Sequence, residues 1–549
     1  SRTLFGIRTK TDSGSLGRPE ASKRDDPMSA ATHARTAPED RVRFTHRLAY
    51  GAGAFVNNLL AAASGGMMIV LNLGLGLNPA LVGLLGALPR LTDAITDPIM
   101  GFISDNARTR WGRRRPFIFA GAIAAGLVFA LLWQLPREQS ETFYFVYFLL
   151  MSIVFYAGYT VFATPWVALG YELTHDYNER TRLMGTQNFI GQLAYVVSPW
   201  FLWIMTYKGF FPDQVAGAAG LAIVVAVVAA GLGVLPAIFL RERMLAVAMA
   251  ERAGQAEKAV GAGQAAKAAK AAETGQTVAA ARAEPGRRGQ SALRRNLGEF
   301  LRAFGTTLSS GPFLKLSLAT FLVFNGFMLI SSFQYYVIIY YVCGGDQIEG
   351  AKFAGYAGTV GGVSTFAVVA FVTWLATRIG KRGAFFVSTG VAMVGYALKW
   401  VCYNPSLPWL VMVPAPLLSF SLGGLFTLMP SMIADVVDTD ELKTHQRREG
   451  MYGSIFWFMV KLGMAAALAG GGYLLNATGF DVALGGAQGA RTITLMRLCD
   501  AGIPILTSAL AIWAVAAFPI TEASALAVRR ELERRRGKTG TAAEAAAPA

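Results

Sequence analysis

Asp93 and Asp97 lie four residues apart inside the stretch ALPRLTDAITDPIMGFISD, whose other residues are mostly apolar. On a helix that spacing puts both carboxylates on one face, one turn apart. Two carboxylates so close in a low dielectric do not both stay ionised without help; a bound cation or a shared proton resolves the repulsion. An ionisable group at the centre of a membrane helix costs about 2.5–3.5 kcal/mol on insertion scales and usually faces a cavity or a partner. Arg90, three residues before Asp93, offers the blander solution of an ion pair that only fixes helix packing. Lys461 sits in a second apolar run, YGSIFWFMVKLGMAAALAGGGYLL, too deep to snorkel to the interface, and needs a carboxylate or a substrate acceptor. An amide is also costly in hydrocarbon unless paired. Asn57 and Asn58 form such a pair in the first apolar run, where they either line a cavity or join neighbouring helices.

These residues demand a membrane scaffold, and the composition supplies one. The chain has 549 residues, of which 54% are hydrophobic and 15% charged. Soluble domains carry roughly 25% charged residues, so an ordinary soluble enzyme is excluded. The net charge of +16 fits basic cytoplasmic loops better than nucleic-acid binding. The three cysteines, Cys343, Cys402 and Cys499, are too far apart for a CxxC metal or redox motif. No GxxxxGK[ST] motif occurs, which argues against an ATP-driven pump. No nucleophile–base constellation is seen, and the four histidines fall in tails, loops or helix ends, so no enzyme and no cofactor is expected.

A bilayer core of about 30 Å needs roughly 20 apolar residues per helix. Twelve such stretches centre on 48–75, 80–104, 116–135, 143–171, 185–206, 217–240, 312–341, 353–377, 384–403, 408–434, 451–475 and 499–519. The expected fold is all-α: twelve transmembrane helices in two six-helix bundles, residues 45–240 and 306–522. Residues 241–305, rich in Ala, Lys, Arg, Gln and Glu, read as a linker. Residues 1–44 read as a disordered N-terminal tail, with 1–27 ahead of a natural start at Met28. Residues 523–549 read as a tail holding a short surface helix. Alternate loops are basic: Arg108, Arg110, Arg113, Arg114 and Arg115; Arg180 and Arg182; Arg378, Lys381 and Arg382; Lys443, Arg447 and Arg448. The opposite loops hold Arg137, Lys208, Lys352, Arg491 and Arg497. The positive-inside rule then puts the first set, the linker and both termini in the cytoplasm of a cell's inner (plasma) membrane.

The loop after the second stretch, SDNARTRWGRRRP, is basic, and that after the tenth, ADVVDTDELKTHQRREG, is rich in acids. Arg108, Arg110, Arg113 and Arg114 facing Asp435, Asp438 and Glu441 would make a cytoplasmic gate that closes by ion pairing when the bundles rock. Isolated solvated pairs would contribute only about 0–1 kcal/mol each.

LTDAITDPIMGFISDNARTRWGRRRPFI, the DVVDTDELK…RREG stretch and FMVKLG together resemble the glycoside–pentoside–hexuronide:cation symporter family of the major facilitator superfamily. The resemblance covers about residues 45–520. It implies a twelve-helix major facilitator fold with a cavity between the bundles. It also implies symport of a sugar or glycoside with Na⁺ or H⁺. By position, Asp93 and Asp97 match the family's cation-site carboxylates, Thr160 its helix-four hydroxyl, and Lys461 the lysine that links cation and sugar sites. Thr96 stands where sugar-specific members have an amide. The sugar site departs from the pattern. A helix-one Lys-Asp is Asn57-Asn58 here, a helix-four Asp is Ala163, a helix-five Arg is Asn188 and a helix-ten Trp is Phe426. Tyr159 and Trp166 are aromatics left to stack on a sugar ring or an apolar group. Coupling looks kept and recognition changed, so a galactoside is disfavoured, and a different glycoside, a less polar solute or a lipid-like one stays open. A monomer working on a small molecule in the bilayer, without nucleic acid, is expected.

Overall fold

The computed structural model describes residues 41–107, 109–174, 177–241, 310–444 and 449–535. The linker reading for 241–305 falls almost wholly outside these residues, as do most of both tails and Arg108. Among the described residues all regular structure is helical. The principal helices are α1 (Phe44–Gly66), α2 (Pro79–Asn106), α3 (Arg115–Leu132), α4 (Glu141–Glu172), α5 (Tyr177–Val197) and α6 (Gln214–Gly233) in the first half. The second half holds α7 (Gly311–Tyr336), α8 and α9 (the two arms of Gln347–Cys402), α10 (Ala415–Thr444), α11 (Glu449–Ala477) and α12 (Ala490–Ala516). A further helix, α13 (Glu522–Arg535), lies on α10, with an Arg535 guanidinium nitrogen 3.2 Å from the Leu442 carbonyl.

Local sequence explains the starts and breaks. Asn78, Ser140, Asp213 and Asp346 cap α2, α4, α6 and α8 by accepting backbone N–H bonds. At 56 residues, Gln347–Cys402 would be about 84 Å long if straight. Gly380 breaks it with φ 77°, a left-handed conformation that costs glycine little. Ten helices among the described residues are long and apolar enough to cross a membrane, against the twelve expected. Two elements make up the difference. The α8–α9 pair counts as one helix, and α2, carrying Arg90, Asp93, Asp97 and Asp105, is not among the ten. The last membrane stretch also begins earlier than expected, at Ala490 rather than near 499, so Arg491 and Arg497 are helical and not loop residues.

The halves meet along a defined line. A Cβ on Gly83 of α2 would lie 2.5 Å from the Leu468 carbonyl oxygen of α11, and one on Gly472 would lie 2.2 Å from the Pro79 carbonyl oxygen. Helix backbones thus touch directly, as small residues permit. Polar links at the same end include Tyr336 Oη donating to Asn72 Oδ1 (3.0 Å), Trp200 Nε1 donating to Thr359 Oγ1 (2.8 Å) and an Asn476–Asn78 amide contact. The contacts of Asn72 and Asn78 lie where α1 finishes and α2 starts, and that of Trp200 joins the end of α5 to α8. At the other end the basic loop pairs within its own half. Arg114 meets Asp105 (2.6 Å) and Glu172 (3.1 Å), and Arg113 also meets Glu172. In the second half Lys381 pairs with Asp435 at 2.7 Å.

At that end Glu179, with a fully buried side chain, accepts from the Val42 N–H (3.1 Å), Arg47 (2.7 Å) and Arg182 (2.9 Å). Burial pushes this carboxyl up, but the Val42 bond and the two guanidinium groups outweigh it and hold the group below the usual glutamate value. A depressed carboxyl contributes stability that is present above the ordinary glutamate pKa of about 4.3 and is lost as pH falls through the folded value. Glu179→Gln is expected to lower the thermal unfolding midpoint in detergent at pH 7. The difference from wild type should shrink below about pH 4. An equal deficit at both pH values would contradict this account.

Candidate functional site

The sequence-predicted carboxylates, hydroxyl and lysine converge between the halves. Asp93, buried, accepts from Thr160 Oγ1 at 2.7 Å through Oδ1 and faces Lys461 Nζ at 2.8 Å through Oδ2. Asp97 accepts from Thr160 (3.1 Å) and Thr164 (3.2 Å) through Oδ1, and its Oδ2 also pairs with Lys461. Thr96 Oγ1 lies 3.3 Å from Thr160 Oγ1 and donates to the Asp93 carbonyl at 3.2 Å. One ammonium from α11 is therefore shared by two carboxylates from α2, with α4 hydroxyls on their other oxygens. Thr160 has one proton and two carboxylates to serve. The set of hard oxygen donors suits a small cation or a proton equally.

Arg90 takes a different course from the ion pair weighed for it. Its guanidinium stands 4.9 Å over the Tyr156 ring and 3.4 Å from Ser64 Oγ. Among the described residues, Asp93 forms its ion pair with Lys461 rather than with Arg90. The two cations divide the work, one bridging the halves and one packed within the first.

The expected substrate residues split into three groups. Asn57 donates to Asn58 Oδ1 (3.2 Å) and accepts from Tyr159 Oη (2.8 Å), a polar chain across α1 and α4. Asn188 is exposed on α5 beside Phe189, whose ring meets Phe366 of the second half at 5.2 Å. Phe426 is partly exposed on α10 and stacks on Trp457. Ala163 is partly buried against a core cluster that holds residues of both halves. Trp166 corrects its expectation. It is 2% exposed, stacks between Tyr50 and Phe162, and its indole N–H is held by the Tyr50 carbonyl at 3.2 Å. Its polar handle is used by the Tyr50 carbonyl and its ring packs on Tyr50 and Phe162, so in this conformation it is part of the core rather than of an open surface.

Of the gate residues, Arg110 is exposed, Arg113, Arg114 and Asp435 have own-half partners, and Asp438 and Glu441 lie on the last turns of α10. Sequence reasoning missed Thr164, one turn beyond Thr160, although that i, i+4 spacing was legible. It also missed the buried pair of Lys399 and Asp500, joined at 2.5 Å between α9 and α12. Lys399 is the lone charge of the apolar run GYALKWVCY, which signals a partner; Asp500 lies in LMRLCDAG, three residues after Arg497.

The profile of the family described as MFS/sugar transport protein matches residues 49–280 and 274–522. The chain belongs to that family. An uncharacterised symporter of Synechocystis sp. is 27% identical over 90% of this chain and 98% of its own length. The isoprimeverose transporter of Lactiplantibacillus pentosus is 24% identical over 85% and 87%. The sodium-dependent lysophosphatidylcholine symporter 1 of Gallus gallus is 22% identical over 94% of each chain. Among solved structures, a bacterial homologue of the human lysosomal transporter Spinster shares the fold, with TM-score 0.55 and 15% identity over 89% and 96% of the two chains. The chain is thus a multi-pass membrane transporter of the major facilitator superfamily, and the resemblance to the glycoside–pentoside–hexuronide:cation symporters holds. Family and fold are those of secondary transporters, not enzymes.

The Lys399–Asp500 pair yields a test of its role. Removing one partner of a buried pair costs about 3–5 kcal/mol, whereas replacing both with apolar residues is often neutral. Lys399→Met is expected to unfold at clearly lower temperature, and the Lys399→Met, Asp500→Leu double variant to recover most of the loss. A double variant as unstable as the single one would show that the pair does more than satisfy itself.

Proposed function

We propose that the protein is a cation-coupled symporter of a sugar or glycoside that works by alternating access. The observation that carries this reading is the sharing of one α11 ammonium by two α2 carboxylates across the boundary between the halves. A cation entering Asp93, Asp97, Thr160 and Thr164 competes with Lys461 for the same carboxylate oxygens. The displaced ammonium then needs a new acceptor, and a substrate hydroxyl is one. A hydrogen bond to a charged group contributes about 1.5–3 kcal/mol, so cation occupancy and substrate affinity rise together. Hydroxyl and carboxylate oxygens serve Na⁺ or H⁺. Recognition by Asn57, Asn58, Tyr159 and Asn188 relies on neutral hydrogen bonds, worth about 0.5–1.5 kcal/mol each.

The reading extends to topology. Twelve crossings follow if α2 and both arms of Gln347–Cys402 are counted. Basic loops on one side favour cytoplasmic termini in the plasma membrane, and the protein works as a monomer. The contacts that join the halves at the α1–α2 end then close the outer side, and the cavity faces the cytoplasm. A lipid-like solute is the second reading, favoured by the lysophosphatidylcholine-transporting relative and by the exposed rings of Phe189, Phe426 and Trp457.

Uptake into proteoliposomes under imposed Na⁺ or H⁺ gradients, with a panel of glycosides beside a lysophosphatidylcholine, tests the reading. Asp93→Asn and Asp97→Asn are each expected to abolish gradient-driven accumulation while the protein still inserts. Undiminished accumulation by both variants would remove the cation site. Uptake of the lysolipid alone would replace the sugar reading with the second one.

The gate makes a separate claim. When the cavity opens outward, the α2–α3 loop should close on the end of α10. Cysteines placed at Arg110 and Asp438 are expected to cross-link in proportions that change with cation or substrate. Absence of cross-linking in every condition would remove the gate.

A further inference from the structure

We propose that Trp457, backed by Phe426, is the surface on which the ring of the transported sugar stacks. The proposal rests on the glycoside reading above and names the specificity-determining side chain of that site. On α11, Trp457, Lys461, Leu468 and Gly472 fall within about 60° of one another at 100° per residue. Three members of this stripe face α2. Gly472 lies against Pro79, Leu468 against Gly83 and Gly86, and Lys461 against Asp93 and Asp97. Trp457 continues the stripe one turn towards the end at which the basic loop pairs within its own half, and there it is 55% exposed. Its place on the stripe that faces α2 puts it, in this proposal, on the space between the halves. Phe426 of α10 stacks on the indole at 5.9 Å and 23°, and is itself braced edge-on by Phe324 of α7 at 5.9 Å. Phe426 thus supports the indole on one side, Phe456 of the same helix meets it edge-on at 5.6 Å, and more than half of the side chain stays exposed.

An indole face carries negative potential and attracts the C–H face of a pyranose while excluding water from it. Four residues of helix rise about 6 Å, close to the width of a sugar ring. A ring lying on Trp457 presents its edge hydroxyls towards Lys461, the ammonium that a bound cation would release. The polar chain of Asn57, Asn58 and Tyr159 belongs to the opposite half. This arrangement gives the second half the stacking role that Trp166, buried in the first, does not fill.

The test uses full-length protein in proteoliposomes, with isoprimeverose, melibiose and methyl β-D-glucopyranoside as probes and Na⁺ or H⁺ as driving ion. Trp457→Ala is expected to raise KM about tenfold for whichever probe the wild type transports, with maximal rate and the cation-induced thermal shift unchanged. Trp457→Phe should restore KM to within about threefold, and Trp457→Leu, which keeps bulk without a ring, should behave like the alanine variant. An unchanged KM in Trp457→Ala, or full activity in Trp457→Leu, overturns the stacking role and leaves the symporter reading standing. Loss of the cation-induced shift together with sugar transport in all three variants marks a structural role and also overturns it. A wild type that transports none of the three sugars overturns both.

Discussion

Everything else in the structure answers to one cost, that of holding buried Asp93 and partly exposed Asp97 a single turn apart in a largely apolar helix. Neither carboxylate can be left without compensation, and the compensation comes from other elements. Thr160 and Thr164 of α4 supply hydroxyl donors, and Lys461 supplies charge from the opposite half. The helix that carries the acids cannot also be among the most apolar, which is why α2 fails to qualify as a span on composition alone. Its burial is possible because α4 and α11 flank it.

The same interaction makes the boundary between the halves asymmetric. On one side of the charge cluster, glycine contacts and amide–hydroxyl bonds bring the two halves together. On the other side, arginines and acids are satisfied locally by Asp105, Glu172 and Lys381. These pairs join residues of the same half, whereas the pairs at the cluster join the two halves. Lys461 without the α2 acids would be a lone cation, and the acids without Lys461 a repelling pair.

Sequence made the charged centre legible because a charge in an apolar run is conspicuous whatever the fold. Asp93, Asp97 and Lys461 stood out on that ground, and their meeting needed only the family resemblance to be expected. Aromatic residues carry no such signal. Trp166 and Trp457 occupy similar apolar contexts, yet one is sealed between Tyr50 and Phe162 and the other is open, a difference set by helix rotation that composition does not encode. Helix positions were legible to within a turn or two where apolar runs end in Pro, Asn or Ser. They were misjudged at Ala490, where a moderately polar first turn is still helical. The Lys399–Asp500 pair was harder to see, since Arg497, three residues before Asp500 on the same helix, is a nearer partner in sequence.

The glycine contact between α2 and α11 carries a mechanical consequence. Where bulky side chains interlock, sliding one helix past another requires rotamers to unlock and cavities to open transiently. Gly83 against the Leu468 carbonyl, and Gly472 against the Pro79 carbonyl, present smooth backbone to smooth backbone. Such a seam behaves as a bearing. Fewer side chains have to unlock along such a seam, although Leu468 still seats its side chain against Gly86, and the polar contacts beside it, such as that of Tyr336 with Asn72, are the discrete links that a sliding motion would have to break.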